Sequence, residues 1–166
     1  AQISSNFGGM RALTSNALSS YTSGSTTDRL GTLNGAPDAT YVTAKDTMQQ
    51  TLAIDALGTG TIVAGDQVQI AGVNRLNIAT RQVMLDAAGA AVPWTGTVLS
   101  TVTIAGNAAS VVVSGAAIYE ANGQYNTVDA APAISAVVTI LGTAATVYQP
   151  NLFYTEQAFG LGTVKL

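Results

Sequence analysis

Residues 97–114 read TVLSTVTIAGNAASVVVS. Val98, Ser100, Val102 and Ile104 alternate with Thr97, Leu99, Thr101 and Thr103, the period of two that sends successive side chains to opposite faces of a strand. Gly106-Asn107 reads as a turn, and Ser110 to Ser114 then resumes with three valines. The local prediction is a strand over Thr97 to Ala105, a tight turn, and a second strand.

The same grammar extends in both directions. Upstream, Met48, Leu52 and Ile54 share one face of Met48 to Ile54, with Gln50 as an interruption, before Gly58-Thr59-Gly60 breaks the pattern. In residues 61–72, Gly65-Asp66 sits where a tight turn belongs, and Val68 and Ile70 alternate with Gln67 and Gln69. Leu76 to Leu85 reads as a further strand, ended by the turn at Asp86-Ala87-Ala88-Gly89. Downstream, Ala136 to Leu141 and Ala144 to Gln149 flank Gly142-Thr143 at hairpin spacing, and Asn151 to Leu166 has room for one or two more strands.

Residues 1–37 differ. They hold seven of the eleven serines and five glycines, which predicts an extended, loop-rich arm with a weak helical turn around Phe7 to Leu18, where Met10, Leu13 and Ala17 keep an i, i+3, i+7 spacing. After residue 38 no amphipathic stretch of helical length occurs, so a parallel α/β fold would lack its crossover helices. Short strands every 8 to 12 residues with Gly, Asn and Asp turns predict a mainly β chain, a sandwich or a small closed barrel.

Composition narrows function. The chain has 166 residues, 48% hydrophobic and 9% charged, and Ala, Thr, Gly and Val supply 83 of them. It lies far from the polar, highly charged compositions that stay disordered. Net charge is −3 with two Lys and four Arg, too few cations for a phosphate-binding face, so sequence-specific nucleic-acid binding is not expected. Without Cys or His there are no disulfides, no Cys/His zinc site and no imidazole relay. No secretory signal pattern and no apolar run of membrane-spanning length is read, so no membrane partner is expected. The chain does not begin with Met, as expected of a processed product or a piece of a longer chain.

Chemistry is thinly represented. The nine acids sit mostly beside Gly, Ala or Pro in predicted turns, where Asp commonly caps or closes the turn, and no pair carries the signature of a tuned acid/base site. No calcium loop, phosphate loop or aspartic-protease triplet is present. The expectation is no enzyme, no catalytic residue, no metal and no cofactor. Trp94, read as a loop residue after Pro93, is a candidate interface anchor or sugar-stacking platform, against the alternative that it caps a barrel core with its N–H bonded.

Charge is also unevenly placed: none occurs between Asp86 and Glu120, nor between Asp129 and Glu156. Edge strands in such a chain lack the charges that block edge-to-edge pairing. Either the strands close on one another, or the surface is covered by neighbouring copies or by more of a longer chain.

Three strings carry a resemblance to a known family. Gly65-Asp66-Gln67-Val68-Gln69-Ile70-Ala71-Gly72-Val73, followed by Asn77 and Thr80-Arg81, resembles a stretch of the coat proteins of short-tailed Salmonella-type phages. Tyr125-Asn126-Thr127-Val128-Asp129-Ala130-Ala131-Pro132-Ala133, with Asn151-Leu152-Phe153 and Ala158-Phe159, is similar to the segment by which that family leaves its inserted β-domain. Ser15 to Gly24 resembles the approach to it.

The resemblance implies the Hong Kong ninety-seven type capsid fold, with a six-stranded barrel-like insertion in its axial domain. On that basis residues 1–37 are an axial-domain flank, 38–149 the insertion domain and 150–166 the return strand, and Gly65, Asp66, Gly72 and Pro132 are structural motif residues. It further implies a major coat protein of the virion capsid that self-assembles in the host cytoplasm, with other copies of itself, scaffolding and portal proteins as partners. The family's acidic inter-capsomer loop corresponds to a shorter stretch here, Asp38 to Asp55, and Lys45 and Lys165 have no recognisable cross-linking partner. The alternative from residues alone is a secreted or cell-surface β-module binding glycans, suggested by Thr, Ser, Asn and Trp94.

Overall fold

The computed structural model describes residues 19–37 and 39–149, together with the backbone of β1 (Asn6–Phe7) and β2 (Met10–Arg11). β1 and β2 pair antiparallel, with Phe7 opposite Met10, where the sequence spacing predicts a helical turn. The rest of Phe7 to Leu18 lies outside the described residues, as do Asp38 and the return segment 150–166. The chain divides into two units, Ala1–Tyr21 with Val147–Leu166, and Thr22–Thr146.

Following β3 (Tyr21–Thr22), the larger unit contains β4 (Leu30–Leu33), a one-turn helix α1 (Tyr41–Ala44), β5 (Gln49–Asp55), β6 (Thr61–Ile62), β7 (Gln67–Asn74), β8 (Pro93–Val98), β9 (Val102–Thr103), β10 (Ala109–Ser114) and β11 (Val137–Ile140). Six of these strands close a barrel in the order β10-β5-β4-β11-β7-β8, with every neighbouring pair antiparallel. Closure leaves the barrel without an edge strand, which answers the edge liability of a charge-poor β chain. β6 and β9 form a separate two-stranded pair.

The period-two reading holds where it matters. Leu52, Ile54, Val68, Ile70, Val111 and Val113 are all fully buried inside the barrel, while their chain neighbours face outward. Two inward positions are glycines because no side chain fits. A Cβ on Gly31 would lie 2.6 Å from Ile54, and one on Gly96 would lie 2.6 Å from the Trp94 ring. Small residues facing large ones are what a narrow barrel needs to fill its interior evenly.

Several boundaries differ from the sequence reading, for identifiable reasons. β4 falls within the Ser/Gly-rich stretch read as an arm, because a four-residue strand containing glycine shows no alternation; the compact unit runs from Thr22 rather than from residue 38. Met48 stands outside β5 with a left-handed φ of 53° and is exposed; Gln50, the apparent interruption, is one of the buried residues.

Thr97 to Ala105 is split into the end of β8 and β9 by a bend at Ser100. Leu76 to Leu85 is not a sheet strand but a folded-back loop, with isolated pairs Leu76 with Val83 and Leu85 with Ala91. Asn77 Oδ1 accepts from Ala79 N–H and Thr80 N–H, and Arg81 takes φ 61°, which together bend the chain.

The hairpin expected around Gly142-Thr143 does not form. β11 already has β4 and β7 on either side, so β12 (Val147–Tyr148) pairs with β3 instead. In the smaller unit Tyr21 stacks on Tyr148, ring centroids 6.2 Å apart. A turn forms at Gly106-Asn107: both residues have positive φ, and Ala105 and Ala108 exchange both backbone hydrogen bonds.

Leu52→Ala, which empties a fully buried site, is expected to cost about 2–5 kcal/mol in urea denaturation. Thr51→Ala, one residue away on the outer face, is expected to change stability by about 0.5 kcal/mol or less. Equal effects would mean that β5 does not alternate as described.

Candidate functional site

One end of the barrel is closed by a buried ion pair. Val63 to Asp66 forms a tight turn in which Asp66 N–H donates to Val63 C=O and Gly65, at the third position, takes φ 98°, the conformation a type II turn requires. The turn drops the Asp66 carboxylate inward, where the side chain is 1% exposed. Oδ2 accepts from Val63 N–H at 2.8 Å and from Gly24 N–H at 3.2 Å, and Oδ1 accepts from Arg29 Nη2 at 3.0 Å.

Arg29 spends its remaining donors on carbonyls: Nε to Ile140, Nη1 to Gly24 and Nη2 also to Leu141. Four segments, the approach to β4, the turn before β7, the end of β11 and its exit, are thus joined by two side chains. Gly24 is required there, since a Cβ would stand 2.3 Å from Thr61 O and 2.7 Å from Asp66 Oδ2. A buried pair recovers its desolvation cost only with this degree of hydrogen bonding.

Serine and threonine extend the closure. Ser23 Oγ donates to Thr143 C=O and accepts from Thr146 N–H, so the two ends of the larger unit meet side by side. Ser25 Oγ accepts from Thr61 N–H, and the fully buried Thr26 donates to Asp28 C=O. The Ser-rich composition that suggests a loose arm is here a set of hydroxyl-to-backbone bonds.

Four further side chains hold long connections. Gln50 Nε2 donates to Pro37 C=O at 2.7 Å and its Oε1 accepts from Ala117 N–H at 2.9 Å. Asp129 accepts from Asn74 N–H and Asn74 Nδ2 at 2.7 and 2.8 Å. This clamps the end of β7, where the β7–β8 register shifts and Gly72 takes φ 78°. Asn126 is 6% exposed and bridges Glu120 N–H and C=O, while Thr127 joins Ala116 to Ile118. Pro132 is buried.

Trp94 lies within β8, not in a loop, and is 2% exposed, with Nε1 donating to Gly115 C=O at 2.7 Å. It is packed in the barrel core with its ring N–H satisfied. The hollow of about 290 Å³ beside it is lined by Met48, Leu76, Ile78 and Met84 along with Arg75 and Thr127, an apolar lining short of the polar partners a sugar needs. Among the described residues no group of three acidic side chains is placed to hold a metal.

The outer wall is the remaining surface of interest. In all six barrel strands Asp55 is the single charged residue; the other outward positions are mostly Thr, Ser, Gln and Ala, with Leu30, Gly72, Asn74, Pro93, Val112 and Val137. An isolated soluble domain ordinarily interleaves both signs of charge over such a wall.

The family model for "P22 coat protein - gene protein 5" matches residues 1–166, the whole chain. The chain belongs to that coat-protein family. It is 41% identical over 171 residues to a major capsid protein of Acyrthosiphon pisum secondary endosymbiont phage 1, covering all of this chain and 40% of that protein. The chain therefore spans well under half the length of that relative. A solved structure, the CUS-3 coat protein I-domain, is 28% identical with a TM-score of 0.46, over 71% of this chain and 98% of that one. P22-type coat proteins are structural proteins, in keeping with the expectation of no enzyme.

Of the residues singled out in the sequence, Gly65 and Asp66 fall together at the closed end, and Gly72 and Pro132 fall elsewhere. Arg29, Gly24, Gln50 and Asn126 were not anticipated. Arg29 had one legible signal: it is the only cation between Arg11 and Lys45, beside a segment rich in backbone-bonding hydroxyls.

Asp66→Ala leaves Arg29 buried without its carboxylate and is expected to cost about 3–5 kcal/mol. Arg29→Met with Asp66→Leu, which removes both charges, is expected to cost less than Asp66→Ala alone. Guanidinium denaturation followed by the emission of Trp94 measures both; a double variant weaker than the single one would mean the pair is net stabilising.

Proposed function

We propose that this chain is the β-barrel insertion, with its axial-domain flanks, of a phage major capsid protein that self-assembles into an icosahedral shell. The shell-forming remainder would have the Hong Kong ninety-seven type fold of the Salmonella-type phages. The observation that carries the reading, beyond family membership, is the barrel wall with a single charge. A wall of hydroxyls and small apolar groups fits weak contacts repeated by symmetry, or packing against the rest of a longer coat protein.

In this reading the barrel folds as a unit and props the shell-forming domain. The flanking segments 1–21 and 147–166 run into that domain, and Gly65, Asp66, Gly72 and Pro132 keep the barrel's connections in place. Other copies of the coat protein are the principal partners. Scaffolding and portal proteins join during assembly in the host cytoplasm, and the virion capsid is the final location.

Electron microscopy of the full gene product under assembly conditions tests this: closed shells are expected, and a protein that stays monomeric overturns the reading. A second arm places Lys at Leu30, Thr51 and Ser110 in separate full-length variants. Each is expected to fold with stability within about 0.5 kcal/mol of the parent. At least one is expected to reduce the yield of shells several-fold; unchanged yields for all three would show that the wall makes no assembly contact.

A further inference from the structure

The sequence contains two Asn-Gly pairs, Asn34-Gly35 and Asn122-Gly123, and the structure treats them oppositely. Asn-Gly is the dipeptide in which the following backbone nitrogen most easily reaches the side-chain amide, because glycine has no Cβ to obstruct the ring that forms.

Asn34 is exposed, just beyond β4. Gly35 takes φ 90°, and a Cβ placed on it would meet nothing within 4 Å. Among the described residues neither the Asn34 side-chain amide nor the Gly35 N–H has a hydrogen-bond partner.

Asn122 is also exposed, but its glycine is held on every side. Gly123 N–H donates to Glu120 C=O at 2.8 Å, and its carbonyl accepts from Arg81 Nη2. The space beside its Cα is occupied by Asn126 Oδ1 and Glu120, 2.6 and 2.8 Å from where a Cβ would stand. An amide already donating in a closed turn resists both deprotonation and rotation toward a neighbouring carbonyl carbon.

We infer that Asn34 is a site of spontaneous covalent modification, deamidation through a cyclic imide, and that Asn122 is protected from it by the fold. The Gly35 nitrogen forms a bond to Asn34 Cγ, the Cγ–Nδ2 bond breaks, and ammonia departs with the proton from the Gly35 amide. Water then opens the imide at either carbonyl, leaving aspartate or isoaspartate. No other reactant is consumed.

Each product matters at this place. A carboxylate appears beside a barrel whose strands otherwise carry one charge. Isoaspartate also inserts a methylene into the main chain next to Leu33, whose N–H and C=O bind Ala136 and Ser135 at the β4–β11 margin. The inference stands whether or not the chain assembles into shells.

The test incubates the 166-residue chain at mildly alkaline pH, with and without urea, and follows both asparagines by peptide mapping and mass spectrometry. In the folded chain Asn34 is expected to convert about five-fold faster than Asn122, the ratio that one net hydrogen bond corresponds to. In urea the two rates are expected to converge, and Asn34→Gln is expected to remove the fast component from the folded sample. Equal rates in the folded chain, faster conversion at Asn122, or a ratio unchanged by urea would overturn the inference, the last because flanking residues rather than the fold would then set it.

Discussion

The Arg29–Asp66 pair is the contact on which the arrangement of this chain depends. A closed barrel built from antiparallel strands is held by its ladder everywhere except at its ends, where backbone groups of the connections have no strand to bond. At this end one carboxylate and one guanidinium supply those partners for Gly24, Val63, Ile140 and Leu141. Arginine suits the task because its planar fork reaches several acceptors at once and does not lose its charge when buried. Beside this contact the two ends of the larger unit meet, where Ser23 and Thr146 exchange hydrogen bonds.

The small-residue composition follows from the barrel's size. Six strands enclose a narrow interior, so valine, isoleucine and leucine fill it only if some inward positions shrink to glycine, as at Gly31 and Gly96. Outward, alternation gives threonine, serine and glutamine, which favour or tolerate the pleat and solvate without charge. What is missing is the layer of lysine and glutamate that keeps separate domains apart. No barrel strand carries either residue, and Asp55 is the one charge among them, a property of the whole wall that gains meaning from membership in a family of coat proteins.

Legibility in the sequence was uneven, and physics explains where. The turn at Gly65-Asp66 was readable because turn chemistry is local. The role of its carboxylate was not, since its partner lies thirty-seven positions away. Gln50 looked like a flaw in an apolar face because polarity alone does not show that both ends of an amide will find backbone partners. Trp94 looked like a loop residue because Pro93 precedes it, yet proline is admissible as the first residue of a strand. The stretch around Leu76 to Leu85 has the residues of a strand, but Asn77 and Arg81 turn it back before it reaches a neighbour.

By itself the sequence determined that this chain is mainly β, where most of its strands run, which faces they bury, and that its acids and hydroxyls carry no catalytic pattern. These properties depend on neighbours two to four positions apart. Only the tertiary structure decided that the sheet closes, in the order β10-β5-β4-β11-β7-β8, that β11 turns from β12 to β4 and β7, and that Arg29 finds Asp66. Those outcomes depend on which distant segments compete best for the same backbone donors and acceptors, and no short window of sequence contains both competitors.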